Sequence, residues 1–207
     1  MHASISKIVL LICLLAFHAN CRSFAYLNNS NDQILVGRVI KVADGDTITI
    51  LDQYQTQHRI RLMGIDAPER KQAFSQVSHK SLADLVFSQQ VTIEYKKNDR
   101  YGRIVGKVML NGLDVGLEQI KAGLAWHYKQ FEQEQTINDR ATYAEAERYA
   151  RLNRIGLWQD SNPMPPWDFR QYQRKTADEM YDSNLTDYVV INEHLQDRLV
   201  HLHVIYV

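Results

Sequence analysis

At 207 residues, the chain has room for one domain of ordinary size plus a leader and a tail, enough to bury a core without disulfide staples. Its 24 Lys/Arg balance 24 Asp/Glu, but residues 33–129 hold 14 basic against 10 acidic side chains and residues 130–207 hold 8 against 13. A basic front half suits a polyanionic partner, although an imbalance of that size is also ordinary for solvated surface. Both cysteines, Cys13 and Cys21, fall in or beside the leader, which excludes disulfides and thiolate zinc sites from the rest of the chain.

The first 25 residues read as an export signal. Lys7 precedes an apolar run from Ile8 to Phe17, too short to span a bilayer comfortably, and Ser23-Phe24-Ala25 offers small residues for cleavage before Tyr26. The expected destination is the periplasm or the medium, with no transmembrane segment in the mature chain. Cys21 raises a lipoprotein alternative, but His18-Ala19-Asn20 is a poor lipobox.

Val36–Val42 and Thr47–Leu51 flank an Asp-Gly turn and predict a hairpin, followed by a third alternating strand over Arg59–Met63. Gly64 to Pro68 ends that strand, since Pro68 has no amide hydrogen for a ladder. Ala73–Ser88 predicts a helix whose apolar face is Val77, Leu82, Leu85 and Val86. Val91–Tyr95 and Ile104–Leu110 predict two more strands, the second closed by Asn111-Gly112.

Asp114 is placed to cap a short helix that stops at Gly123, and Ile137–Asn153 predicts a long polar helix. Leu117, Ile120 and Leu124 read as core. Five strands with a helix after the third predict an α+β fold, an OB-fold barrel of five strands with about three helices, over residues 33–160. Asn162-Pro163-Met164-Pro165-Pro166 breaks regular structure and opens an exit segment and tail over 161–207. The alternating apolar stretch Leu199–Val207 is a candidate edge strand.

Four motifs carry the chemistry. In Asp44-Gly45-Asp46-Thr47, a carboxylate beside a tight turn can face a hard cation, although Asp-Gly alone is a common hairpin turn. In Arg61-Leu62-Met63-Gly64-Ile65-Asp66-Ala67-Pro68-Glu69, two carboxylates around a rigid proline repel one another and ask for a cation nearby. Asp99-Arg100-Tyr101-Gly102-Arg103 can be plain hairpin chemistry, or a guanidinium aimed at a phosphate with an aromatic beside it. The aromatics of Trp126-His127-Tyr128 either line a base site or pack on the barrel.

In order and spacing, these motifs resemble the thermonuclease family from about Gly37 to Trp158. The resemblance implies an OB-fold enzyme that binds one Ca²⁺ and hydrolyses the phosphodiesters of DNA and RNA with little sequence preference, leaving 3′-phosphorylated products. Asp46 and Asp66 match its metal carboxylates, and the backbone carbonyl of Ala67 a further ligand. Arg61 and Arg103 match the two phosphate-binding arginines, and Glu69 the residue assigned as general base. Arg100 and Tyr101 match nucleotide contacts, and Tyr128 stands for the nucleotide-stacking aromatics.

The family's type member has Thr where this chain has Ala67, so a side-chain hydroxyl is lost there. Gly156-Leu157-Trp158 and Pro165-Pro166-Trp167-Asp168-Phe169-Arg170 look like the C-terminal ends of bacterial members. No stable protein partner is expected, and the chain should be a monomer. The competing reading is a non-catalytic OB-fold module that binds nucleic acid; members that lose catalysis typically lose the carboxylates or arginines that are all present here.

Overall fold

The computed structural model describes residues 33–179 and 181. The expected leader, Cys21 and the candidate edge strand Leu199–Val207 lie outside the described residues. Strand β1 (Gln33–Val42), β2 (Thr47–Asp52) and β3 (Gln57–Leu62) form an antiparallel meander. β4 is the two-residue Ile65–Asp66, and helix α1 spans Ser75–Val86. β5 (Gln90–Asn98) and β6 (Ile104–Leu110) pair antiparallel. The sheet order β3-β2-β1-β5-β6 closes on itself because β3 also pairs with β6 in parallel. The result is the expected five-stranded closed barrel with helices around it.

β7 (Leu113–Asp114) leads into α2 (Val115–Lys121), β8 is Trp126–His127, and α3 spans Ile137–Leu152. Residues 166–179 form a fourth helix, α4. Among the described residues, no helix is long and apolar enough to cross a membrane.

Alternation along the strands explains the closure. Val39, Ile48, Ile50, Ile60, Leu62, Val91, Ile93, Ile104 and Val108 point into one buried core, where each fully buried aliphatic side chain contributes roughly 1.5–3 kcal/mol. β1 and β5 each carry a register shift, at Val39/Lys41 and at Tyr95/Lys97, and such bulges bend a short sheet toward a cylinder.

The helix caps follow the sequence closely. The Asp114 carboxylate accepts from the Leu117 amide, and Gly123 has φ 64° at the end of α2. A Cβ on Gly123 would lie 2.2 Å from the Ile155 carbonyl oxygen, so the close approach as well as the turn requires glycine there.

Three local differences from the sequence reading bear on the site. In α1, Val77 is half exposed, whereas Ser78 is fully buried beside Leu82 and Val86. The inward face therefore runs 78, 82, 86, and Ser78 belongs on it because its hydroxyl donates to the Leu124 carbonyl at 2.8 Å. Second, after leaving the barrel sheet the chain enters a separate two-stranded sheet: β4 pairs with β8, Ile65 opposite His127 and Asp66 opposite Trp126. Third, past the proline-rich segment the chain turns back as α4, and Trp167 packs on a second cluster of Trp126, Ala150, Leu157 and Trp158.

Candidate nuclease site

The barrel registers bring the separate motifs to one end. In the β2–β3 ladder Thr47 lies opposite Arg61, and in the β3–β6 closure Arg61 lies opposite Val105. Asp46 just before β2, Arg61 near the end of β3 and Arg103 just before β6 therefore share one rim. Asp66 follows on β4, held in place by the β8 pairing.

The Asp44–Thr47 turn is tightly constrained. The Asp44 carboxylate accepts from the Asp46 amide at 3.0 Å. Gly45 is pressed so close to α1 that a Cβ there would fall 1.9 Å from the Ser78 hydroxyl oxygen and 2.8 Å from the Ala67 Cβ. Gln119 donates to the Gly45 carbonyl at 3.0 Å and to the Ser78 carbonyl at 3.0 Å, locking the turn against α1 and α2. Burial, helped by the charge of Asp46, pushes the Asp44 carboxyl up to about 6.

Asp46 and Asp66, both buried, converge on one guanidinium. Arg61 Nη2 lies 3.2 Å from Asp46 Oδ2 and 2.8 Å from Asp66 Oδ1. Asp46 Oδ2 also accepts from the Ala67 amide at 2.7 Å, and its Oδ1 from the Thr47 hydroxyl at 3.0 Å. Arg61 is further oriented by donating Nη1 to the Leu62 carbonyl at 3.0 Å. Burial pushes the Asp66 carboxyl up, opposed mainly by Arg61.

Arg103 is set in its turn by Asp99. The Asp99 carboxylate accepts from the amides of Tyr101 and Arg103, each at 2.9 Å, and from Arg103 Nε at 2.8 Å. Burial would raise Asp99, but these bonds outweigh it and hold the carboxyl below its ordinary value. Arg103 Nη1 reaches toward the Thr47 hydroxyl at 3.4 Å, which links the Arg103 turn to the Asp46 turn. The Tyr101 ring is exposed and lies under the Arg100 and Arg103 guanidinium groups, at 4.9 and 5.6 Å.

Glu69 is half exposed on the loop after Pro68, with its amide donating to Gln72 Oε1 at 2.8 Å. Its carboxylate pairs with Arg170 of α4, Nη1 to Oε1 at 2.6 Å, and the same guanidinium reaches Asp66 Oδ2 at 2.9 Å. Tyr128 is tied to the site's edge by its amide, which donates to the Gly64 carbonyl at 2.8 Å, and its ring stacks on Trp167 at 5.5 Å and 14°.

Asp46, Arg61, Asp66, Ala67, Glu69 and Arg103 are thus gathered in one site. Arg100 and Tyr101 stand on its exposed margin, and Tyr128 engages Trp167. Sequence reasoning passed over Asp44 as a buried group, and it left Arg170 without a role. The visible signal for Arg170 was the Pro165–Arg170 motif itself.

The donor set suits a hard cation, since the buried pair Asp46 and Asp66 presents only oxygen. Among the described residues no group of three or more His, Cys, Asp or Glu side chains is arranged to hold a metal. A cation here therefore needs backbone oxygen or water beside the two carboxylates.

A small closed barrel whose rim combines paired carboxylates with arginines carries the groups that hydrolysis of a phosphate ester needs. Residues 59–160 match the family described as staphylococcal nuclease homologue. An uncharacterized endonuclease of Haemophilus influenzae is 39% identical over 137 residues, 66% of this chain and 74% of that protein. An uncharacterized endonuclease of Escherichia coli is 41% identical over 135 residues, 65% of this chain and 84% of its own length. A micrococcal nuclease of Shigella flexneri is 39% identical over 150 residues, 68% and 83% of the two chains. The chain belongs to the staphylococcal nuclease homologue family, and with it to the nuclease hydrolases, a family that is generally metal-dependent.

Proposed function

We propose that this chain is an exported, Ca²⁺-dependent nuclease that cuts DNA and RNA with little sequence preference and leaves 3′-phosphorylated products. The observation that carries the reading is the meeting of Asp46 and Asp66 on Arg61, at 3.2 and 2.8 Å, with Glu69 three residues beyond Asp66. Asp46, Asp66 and the Ala67 carbonyl would hold the ion, an all-oxygen set of the kind Ca²⁺ completes with water. Bound there, the ion supplies charge neutralisation and Lewis-acid polarisation of a phosphoryl oxygen.

The chain's own side chains do the rest. Arg61 and Arg103 grip the phosphoryl oxygens and stabilise charge that grows in the transition state, where loss of one such donor costs about 10²–10³ in rate. Both are pre-oriented, Arg61 by Asp46 and Asp66 and Arg103 by Asp99. Glu69 orients or deprotonates the attacking water. Arg100 and Tyr101, on the exposed margin, suit contact with a neighbouring nucleotide, and Tyr128 with a base.

Export is supported by the leader pattern of residues 1–25, and the product chemistry by family likeness; a monomer is expected. Asp46→Ala tests the metal site: calorimetric titration with Ca²⁺ should show clearly weakened binding. Unchanged calcium affinity would remove Asp46 from the ligand set. Retained nucleic-acid binding without cleavage under any metal would favour the non-catalytic binding module.

A further inference from the structure

Arg170 lies outside the residues matched to the family, 59–160, yet its guanidinium sits on the two carboxylates at the centre of the site. Nη2 meets Asp66 Oδ2 at 2.9 Å, while Nη1 meets Glu69 Oε1 at 2.6 Å and Asp66 Oδ1 at 3.3 Å. Arg61 already occupies Asp66 Oδ1, so both oxygens of this buried carboxylate carry guanidinium hydrogens. The pairing has a plain electrostatic cause. Without Arg170, Arg61 would be shared between Asp46 and Asp66, and a buried carboxylate left without its own counter-charge is costly.

We propose that Arg170 acts as a counter-cation for Asp66 and competes with a divalent ion for that carboxylate, so that metal binding and the docking of α4 oppose one another. This rests on the metal site proposed above. An ion ligated by Asp66 must share an oxygen that Arg170 holds, and a double positive charge beside a guanidinium is repelled by it. The Arg170 side chain keeps 38% of its exposure, so it can swing into water without crossing a packed core.

The start of α4 and the segment leading into it are fastened along the same edge. Gln72, which holds the Glu69 amide, donates its side-chain nitrogen to the Met164 carbonyl at 2.9 Å. Trp167, one helical turn before Arg170, stacks on Tyr128 and meets Trp126 edge-on at 6.5 Å. Helix α4 therefore covers the Tyr128 ring proposed for a base as well as Asp66, one of the two carboxylates proposed for the ion. Because coupling between two binding events is reciprocal, the ion must loosen α4 by as much as α4 weakens the ion.

The test compares Ca²⁺ titrations of the full chain, Arg170→Gln and Trp167→Ala by calorimetry, with hydrogen exchange of residues 166–179 in the unsubstituted chain. Arg170→Gln should bind Ca²⁺ at least about fivefold more tightly. Trp167→Ala, which loosens α4 without touching a carboxylate, should shift affinity the same way by less. Saturating Ca²⁺ should speed exchange in residues 166–179 while the barrel strands stay protected; this readout needs no variant and stands if a substitution fails to fold.

Equal or weaker calcium affinity in folded Arg170→Gln, or slower exchange in α4 with Ca²⁺, overturns the competition and makes Arg170 a support of the loaded site. Absence of Ca²⁺ binding in every protein removes the metal reading together with this inference. Normal binding with equal affinities removes this inference alone.

Discussion

Asp66 carries two opposing demands, burial that favours its neutral form and a guanidinium that favours its charge. Arg61 bridges Asp66 and Asp46, which fixes both carboxylates where phosphate chemistry can use them. Glu69 is the contrast, half exposed and on a loop, with its carboxylate ion-paired to Arg170. If it orients or deprotonates the attacking water, Glu69→Gln should keep nucleotide affinity and lose about 10²–10⁴ in turnover, the usual worth of a positioned acid–base group. Single-turnover assays beside equilibrium binding check this, and near-normal turnover would take Glu69 out of the mechanism. Most of these residues were legible only from the order and spacing of four motifs and the family they resemble, since nearly every motif alone could be ordinary turn or strand chemistry. Asp44 was not, since an Asp-Gly hairpin reads the same whether its carboxylate faces water or, as here, is pushed up to about 6 by burial.

At the scale of elements, the site depends on how closely the Asp44–Thr47 turn lies against α1. Gly45 makes that contact possible, and Gln119 holds it by donating to the Gly45 and Ser78 carbonyls. Gly45→Ala should cost about 1–3 kcal/mol, the typical penalty of overpacking, because the new Cβ meets the Ser78 oxygen at 1.9 Å. Urea unfolding measures the stability, and calcium affinity should fall with it as Asp46 shifts; a stable variant with normal affinity would mean the turn yields freely. Strand and helix existence could be read from alternation and capping. The face of α1 could not, because apolar periodicity pointed to Val77 whereas a buried hydroxyl with a backbone partner decided for Ser78. The β4–β8 pair was equally hidden, being two residues long on each side.

At the scale of the molecule, a five-stranded barrel gathers distant motifs on one rim, and a C-terminal helix closes over it from outside the matched region. Five strands with a helix after the third made the barrel foreseeable. The return of the chain after the proline-rich segment was not, since Pro163, Pro165 and Pro166 say where regular structure stops and not where the next helix docks. Trp167 and Arg170 anchor that helix, and both precede Gln171. Removing residues 171–207 should therefore leave a folded, active protein, checked by circular dichroism and cleavage. Loss of folding would show that the distal segment is part of the core.

The most direct measurement is cleavage of denatured DNA by the purified protein, with Ca²⁺ and with EGTA. Cutting with calcium that stops under EGTA is the predicted result. DNA that is bound but left intact under calcium and every other divalent ion would contradict the account.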